Sequence, residues 1–169
     1  MRGQVCEHLR ALETAWPCRL LCCVRVQSFP PAVVVGAIAA SATSGALIAM
    51  GRRAGHAAMP FASIGAVPFE RTANSGVVGL VFTGFILHVA ATIVWSFIYF
   101  WIAERTRRPV ITAIGVASAN FFASWLVTWS SGRGIASVLP LGDRVVYAAI
   151  LAGALVVGMR YAFPTSRNA

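Results

Sequence analysis

The chain contains no lysine, has five acidic residues in 169, and carries no cysteine beyond residue 23. Charged residues make up 11% of it, where a soluble domain usually has about 25%. That is too little charge to cover a water-facing surface, which excludes a soluble enzyme and a disordered chain. The fourteen basic residues are all arginine and give a net charge of +9. They fall between long apolar runs instead of gathering into the stripe or patch of a nucleic-acid binder, so no nucleic-acid partner is expected. Arginine without lysine, in a chain rich in Ala, Gly and Val, is the pattern of a GC-rich bacterial coding bias.

Cys6, Cys18, Cys22 and Cys23 all precede the apolar runs. They are therefore placed in the wrong part of the chain to staple it. Without paired C-x2-C spacing they read as reduced thiols in a cytosolic tail, not as a metal site. H-E-x-x-H, G-x-S-x-G and G-x4-G-K-[ST] are all missing, so no residue is assigned a catalytic role and the reading leans away from an enzyme. Small four-span multidrug exporters depend on an intramembrane carboxylate. Here Glu104 and Asp143 lie at the ends of apolar runs and none lies within one, so the likeness stops at size and helix count. A haem held between two histidines would need a second intramembrane histidine, and His8 and His56 lie outside the runs. No cofactor is expected.

What the chain does have is four apolar segments, 30–50, 77–103, 109–130 and 145–163, together 89 of its 169 residues. About 20 apolar residues cross a hydrocarbon core as a helix. The expected fold is an all-α membrane protein with four transmembrane helices in a small bundle. Residues 1–29 form an N-terminal tail, either disordered or upstream of a true start near Val24 or Val26, and 164–169 a C-terminal tail. Ala57–Phe69, between Pro60 and Pro68, is too short and broken to span. It reads as a segment between helices 1 and 2 that lies in the interface or dips partway in, with Phe61 and Phe69 as anchors, or as a plain loop.

The second span holds fifteen Val, Ile, Leu and Phe residues, favouring insertion by about 4 to 9 kcal/mol. The first holds six and depends on packing. Gly36/Ala40/Ser44 and Ala37/Ser41/Gly45 form small-x3-small rows there, as do Ala149/Gly153 and Ala154/Gly158 in the fourth span. Such rows let helices approach closely in lipid. They suit packing within the chain or with a homo-oligomer or membrane-protein partner.

With both termini inside, nine arginines lie on the cytoplasmic side and five outside. The positive-inside rule then favours cytoplasmic ends, and with the bacterial coding bias the expected place is the bacterial inner membrane, multi-pass. A start at Val26 would leave five against five. Asp143 is positioned to cap the fourth helix or to pair with Arg133 or Arg144.

Polar residues at depth mark the candidate site. His88 is near the middle of the second span, with Gly84, Thr92, Trp95 and Tyr99 on the same helical face. Asn120 is central in the third span, with Ala113, Ala117 and Ser124 on its face, and Phe122, Trp125 and Trp129 on the opposite one. The candidate intramembrane polar site is therefore His88, Thr92, Tyr99, Asn120 and Ser124, with the His88 and Asn120 faces meeting inside the bundle. An interhelical hydrogen bond that fixes register is one reading of it; a proton relay or polar solute pathway is the other. The expected function is a non-enzymatic packing or interaction subunit of the membrane, with a small transporter or channel subunit along His88 and Asn120 as the alternative.

Overall fold

A computed structural model describes residues 29–68 and 76–162. They form α1 (Phe29–Arg53), α2 (Met59–Gly65), α3 (Val77–Thr106), α4 (Pro109–Ser131), a 3-10 turn at Ile135–Ser137 and α5 (Leu141–Ala162). No strand occurs among the described residues. Four of the helices, α1, α3, α4 and α5, are long and apolar enough to cross a membrane, so the chain is an all-α, multi-pass membrane protein. The tail with its four cysteines, Phe69, and residues 163–169 lie outside the described residues.

The helices overrun the apolar runs where polar residues suit helix ends. α1 continues to Arg52 and Arg53, cations that complement the partial negative charge of a helix C-terminus. α5 begins at Leu141, earlier than its apolar run, and carries Asp143 in its first turn, where an anion is favoured. Pro109 opens α4, because a first-turn residue needs no N–H. Gly132 closes that helix in a left-handed conformation, donating its N–H to the Thr128 carbonyl at 2.8 Å.

α1 packs against α3 and α5, α5 against α4, and α4 against α3, which closes a ring; the α3–α4 seam is the most sparsely packed. The span poorest in large aliphatic residues is also the most enclosed. Of the apolar window of α1, 44% is buried inside the protein, against 17% for α3. Alanine and glycine tolerate that position because neighbouring helices, not lipid, meet them. One small-residue row in α1 is used for this contact: a Cβ on Gly36 would stand 3.1 Å from Ile93 of α3. From α5, a Cβ on Gly158 would stand 3.0 Å from Val35 of α1. The other rows face outward, and a methyl group added at Gly45 or Gly153 would meet nothing within 4 Å.

The short α2 docks on α3 with Pro60, Phe61 and Gly65 buried, and Phe61 is 4% exposed. The expected anchor is therefore a core residue. The cause is a glycine pair: a Cβ on Gly65 would run into the Leu80 carbonyl, and one on Gly84 into the Phe61 carbonyl. With hydrogen at both positions the two backbones touch, and the ring of Phe61 falls inside.

Asp143 pairs with neither Arg133 nor Arg144. It accepts from Arg53 Nη2 at 3.0 Å, because the last turn of α1, beyond its apolar run, brings Arg53 up to the start of α5. Arg133 instead donates to the Ala66 carbonyl at 3.3 Å, joining the 3-10 turn region to the end of α2.

Replacing Gly84 by alanine should lower stability by about 1 to 3 kcal/mol, since the added methyl meets backbone. Gly45→Ala, in open space on a helix, should be neutral or slightly stabilising. Thermal unfolding of the detergent-solubilised variants separates the two outcomes.

Candidate functional site

Each long helix contributes one polar side chain to a cluster at the centre of the bundle. From α1, Thr43 is fully buried (0% exposed) and its Oγ1 lies 3.0 Å from His88 Nε2 of α3. Tyr147 of α5 and Asn120 of α4 stand nearby, lining the same cavity as His88. The His88 ring also packs edge-on to Phe61 of α2 at 5.8 Å and tilted to Tyr147 at 6.2 Å. A buried polar group in an apolar setting is costly without partners, and Thr43 and His88 find each other across the α1–α3 interface. Contacts of the His88 ring thus join α3 to α1, α2 and α5.

Beside it lies a cavity of about 430 Å³. Its walls are α3 (Leu87, His88, Ala91, Thr92) and α4 (Asn120, Ala123, Ser124, Val127), with Tyr147 behind. Ile64 of α2 with Val67 and Pro68 just after it, and Gly134 and Ile135 of the loop, cover one end. The Arg133–Ala66 hydrogen bond ties these two covering segments together. Gly134 adopts φ +119, a backbone conformation in which a side chain would be strained, so glycine there permits the turn over the cavity. At the seam, Leu87 and Val127 are 38% and 41% exposed, so the cavity opens sideways between α3 and α4, toward lipid.

Of the five residues singled out from sequence, His88, Thr92, Asn120 and Ser124 line this cavity together. Tyr99 does not. It is buried further along α3, with its hydroxyl donating to Met159 Sδ at 3.2 Å. The two polar faces flank the cavity, and the direct partner of His88 is Thr43 of α1. Phe122, Trp125 and Trp129 are 66%, 50% and 74% exposed, on the outer side of α4.

Sequence reasoning missed Thr43 and Tyr147. Thr43 sits among the alanines and serines of α1 and looks like part of a packing row. Tyr147 lies near the start of its apolar run, where aromatic residues ordinarily mark the membrane interface. The available signal was depth: Thr43 is ten residues from the Arg53 end of α1, and His88 eleven from the start of α3 at the same end of the bundle.

Hydroxyls on α3 and α4 bond within their own helices: Thr92 Oγ1 donates to the His88 carbonyl at 2.8 Å and Ser124 Oγ to the Phe121 carbonyl at 2.8 Å. No group of three or more His, Cys, Asp or Glu placed to hold a metal occurs among the described residues. The arrangement is suited to binding a neutral molecule with one polar end. Compared with protein-family models, curated proteins and solved structures, the chain matches none.

Thr43→Val removes the hydroxyl that meets His88 across the α1–α3 interface and should cost about 0.6 to 2 kcal/mol. Ser41→Ala, whose exposed hydroxyl bonds only the Ala37 carbonyl of its own helix, should leave the unfolding midpoint unchanged.

Proposed function

We propose that the protein binds a small, mainly apolar molecule inside the bilayer, as a carrier or channel subunit whose pathway runs along the His88 and Asn120 faces. The observation that carries this reading is the cavity of about 430 Å³ between α3 and α4. Its volume falls in the range of about 300 to 1,000 Å³ typical of ligand pockets, and its make-up of apolar walls with a few convergent polar groups is also that of such pockets. A purely structural hydrogen-bond cluster has no need of empty space beside it, and dense packing would fill the space. The lateral opening favours a molecule that partitions into lipid before it binds. The excess of arginine on the side of both termini supports placing the chain in the bacterial inner membrane with cytoplasmic ends.

A second reading, a packing subunit within an oligomer or larger membrane assembly, is favoured by the outward rows. Ala37, Ser41 and Gly45 of α1 and Ala149 and Gly153 of α5 are exposed, and the glycines face open space. Rows of this kind bring helices into close contact in lipid.

Native mass spectrometry of the protein released from lipid nanodiscs tests both. The ligand reading predicts that the wild type retains a small apolar molecule that Ala123→Trp, which fills the cavity, loses while staying folded. Equal retention by both would refute it. The same spectra report assembly: a dimer or larger species that Gly45→Leu/Gly153→Leu reduces to monomer supports the packing reading, and a monomeric wild type contradicts it.

A further inference from the structure

The connection between α3 and α4 consists of two arginines, Arg107 and Arg108, and Arg105 stands in the last turn of α3. All three are exposed. Among the described residues none of them forms an ion pair, and Glu104 is the one carboxylate beside them in the chain. Three positive charges against one negative are thus held where α3 stops and α4 starts. Arg107 adopts φ +53, a left-handed conformation that glycine takes without strain and a residue with a Cβ does not. A connection built for closure alone would carry glycine at that position. Arginine there points to a use for its guanidinium.

The surface beneath these charges has a definite order. The Arg105 guanidinium lies 3.8 Å above the centre of the Trp101 ring, and Trp101 is exposed. Tryptophan on an outer helix face marks the headgroup level of a bilayer. Further along α3, Ile98 and Val94 are exposed as well. At 100° per residue Val94, Ile98, Trp101 and Arg105 fall within about 60° of one another. One outward ridge therefore carries a guanidinium at its end, an indole beneath it and aliphatic side chains beyond. Phosphate, interfacial region and acyl chain follow in the same order in a phospholipid.

We infer that this ridge and the two arginines after it form a site for an anionic phospholipid, with its phosphate at Arg105, Arg107 and Arg108 and an acyl chain along Trp101, Ile98 and Val94. Stacking on the indole occupies the flat face of the Arg105 guanidinium and leaves its N–H fork for phosphate, which accepts two parallel hydrogen bonds from such a fork. An acidic protein segment would meet the charges and leave the apolar ridge uncovered, whereas a lipid meets both. A zwitterionic lipid brings its own cation to the phosphate. A lipid of net negative charge does not, and arginines near the surface favour it by about fivefold each. The site lies toward the opposite end of α3 from the residues that cover the cavity, and it does not rest on the ligand-binding reading.

The test is native mass spectrometry of the full chain released from nanodiscs that hold equal amounts of phosphatidylglycerol and phosphatidylcholine, reading the ratio of the two lipids retained. The wild type should retain phosphatidylglycerol in preference by about fivefold or more. Arg107→Gly should lower that ratio several-fold while its thermal unfolding midpoint stays unchanged or rises, because glycine relieves the strain at this position. The loss of preference is then separated from any folding defect. Arg105→Gln should also lower the ratio. Arg52→Gln removes an exposed arginine from the opposite end of the bundle and should leave the ratio at its wild-type value. A wild-type ratio near one would overturn the inference. An equal drop in Arg52→Gln would overturn it too, since the response would then be to net charge and not to a site. Excess inorganic phosphate should leave the retained lipid in place, and displacement by it would assign the arginines to a free anion instead.

Discussion

One interhelical contact holds the polar centre of this protein: Thr43 Oγ1, anchored on the Ala39 carbonyl of its own helix at 2.7 Å, lies 3.0 Å from His88 Nε2. It crosses the α1–α3 interface, and the rings of Phe61 from α2 and Tyr147 from α5 close around the same imidazole. In lipid, burying apolar surface does not drive helices together, so packing and interhelical hydrogen bonds carry the association. A buried contact of this kind between two spans fixes their register.

The surrounding architecture is consistent with that role. α1 is too poor in large aliphatic residues to be favoured strongly by lipid, and it is the helix most enclosed by its neighbours. Its small residues let α3 and α5 approach closely, which brings Thr43 within 3.0 Å of His88. The Gly65–Gly84 contact does the same for α2, seating Phe61 on the His88 ring. Close packing on the α1 side leaves the α3–α4 seam as the looser one, and the cavity lies there.

The four spans were legible because length and apolarity are properties of a continuous run, and the helical face of His88 was legible from its 3.6-residue period. The grouping of His88, Thr92, Asn120 and Ser124 around one space also followed from depth and face. Tyr99 shares that face but sits too far along α3, where Met159 meets it; angular position alone does not fix distance along the axis. Thr43 and Tyr147 were hidden because small hydroxyl residues and edge tyrosines have commoner explanations in membrane helices. The docking of α2 depended on two glycines nineteen positions apart, a long-range relation with no periodic trace. The Arg53–Asp143 pair was likewise invisible, since the apolar run of α1 stops short of its arginines and only the longer helix reaches Asp143.

The central claim is that Thr43 and His88 interact directly within the bundle, and a double-mutant cycle on unfolding measures this most directly. Thr43→Val and His88→Phe, singly and together, should show a coupling energy of about 0.6 to 2 kcal/mol. Additive effects, agreeing within about 0.3 to 0.5 kcal/mol, would contradict the account.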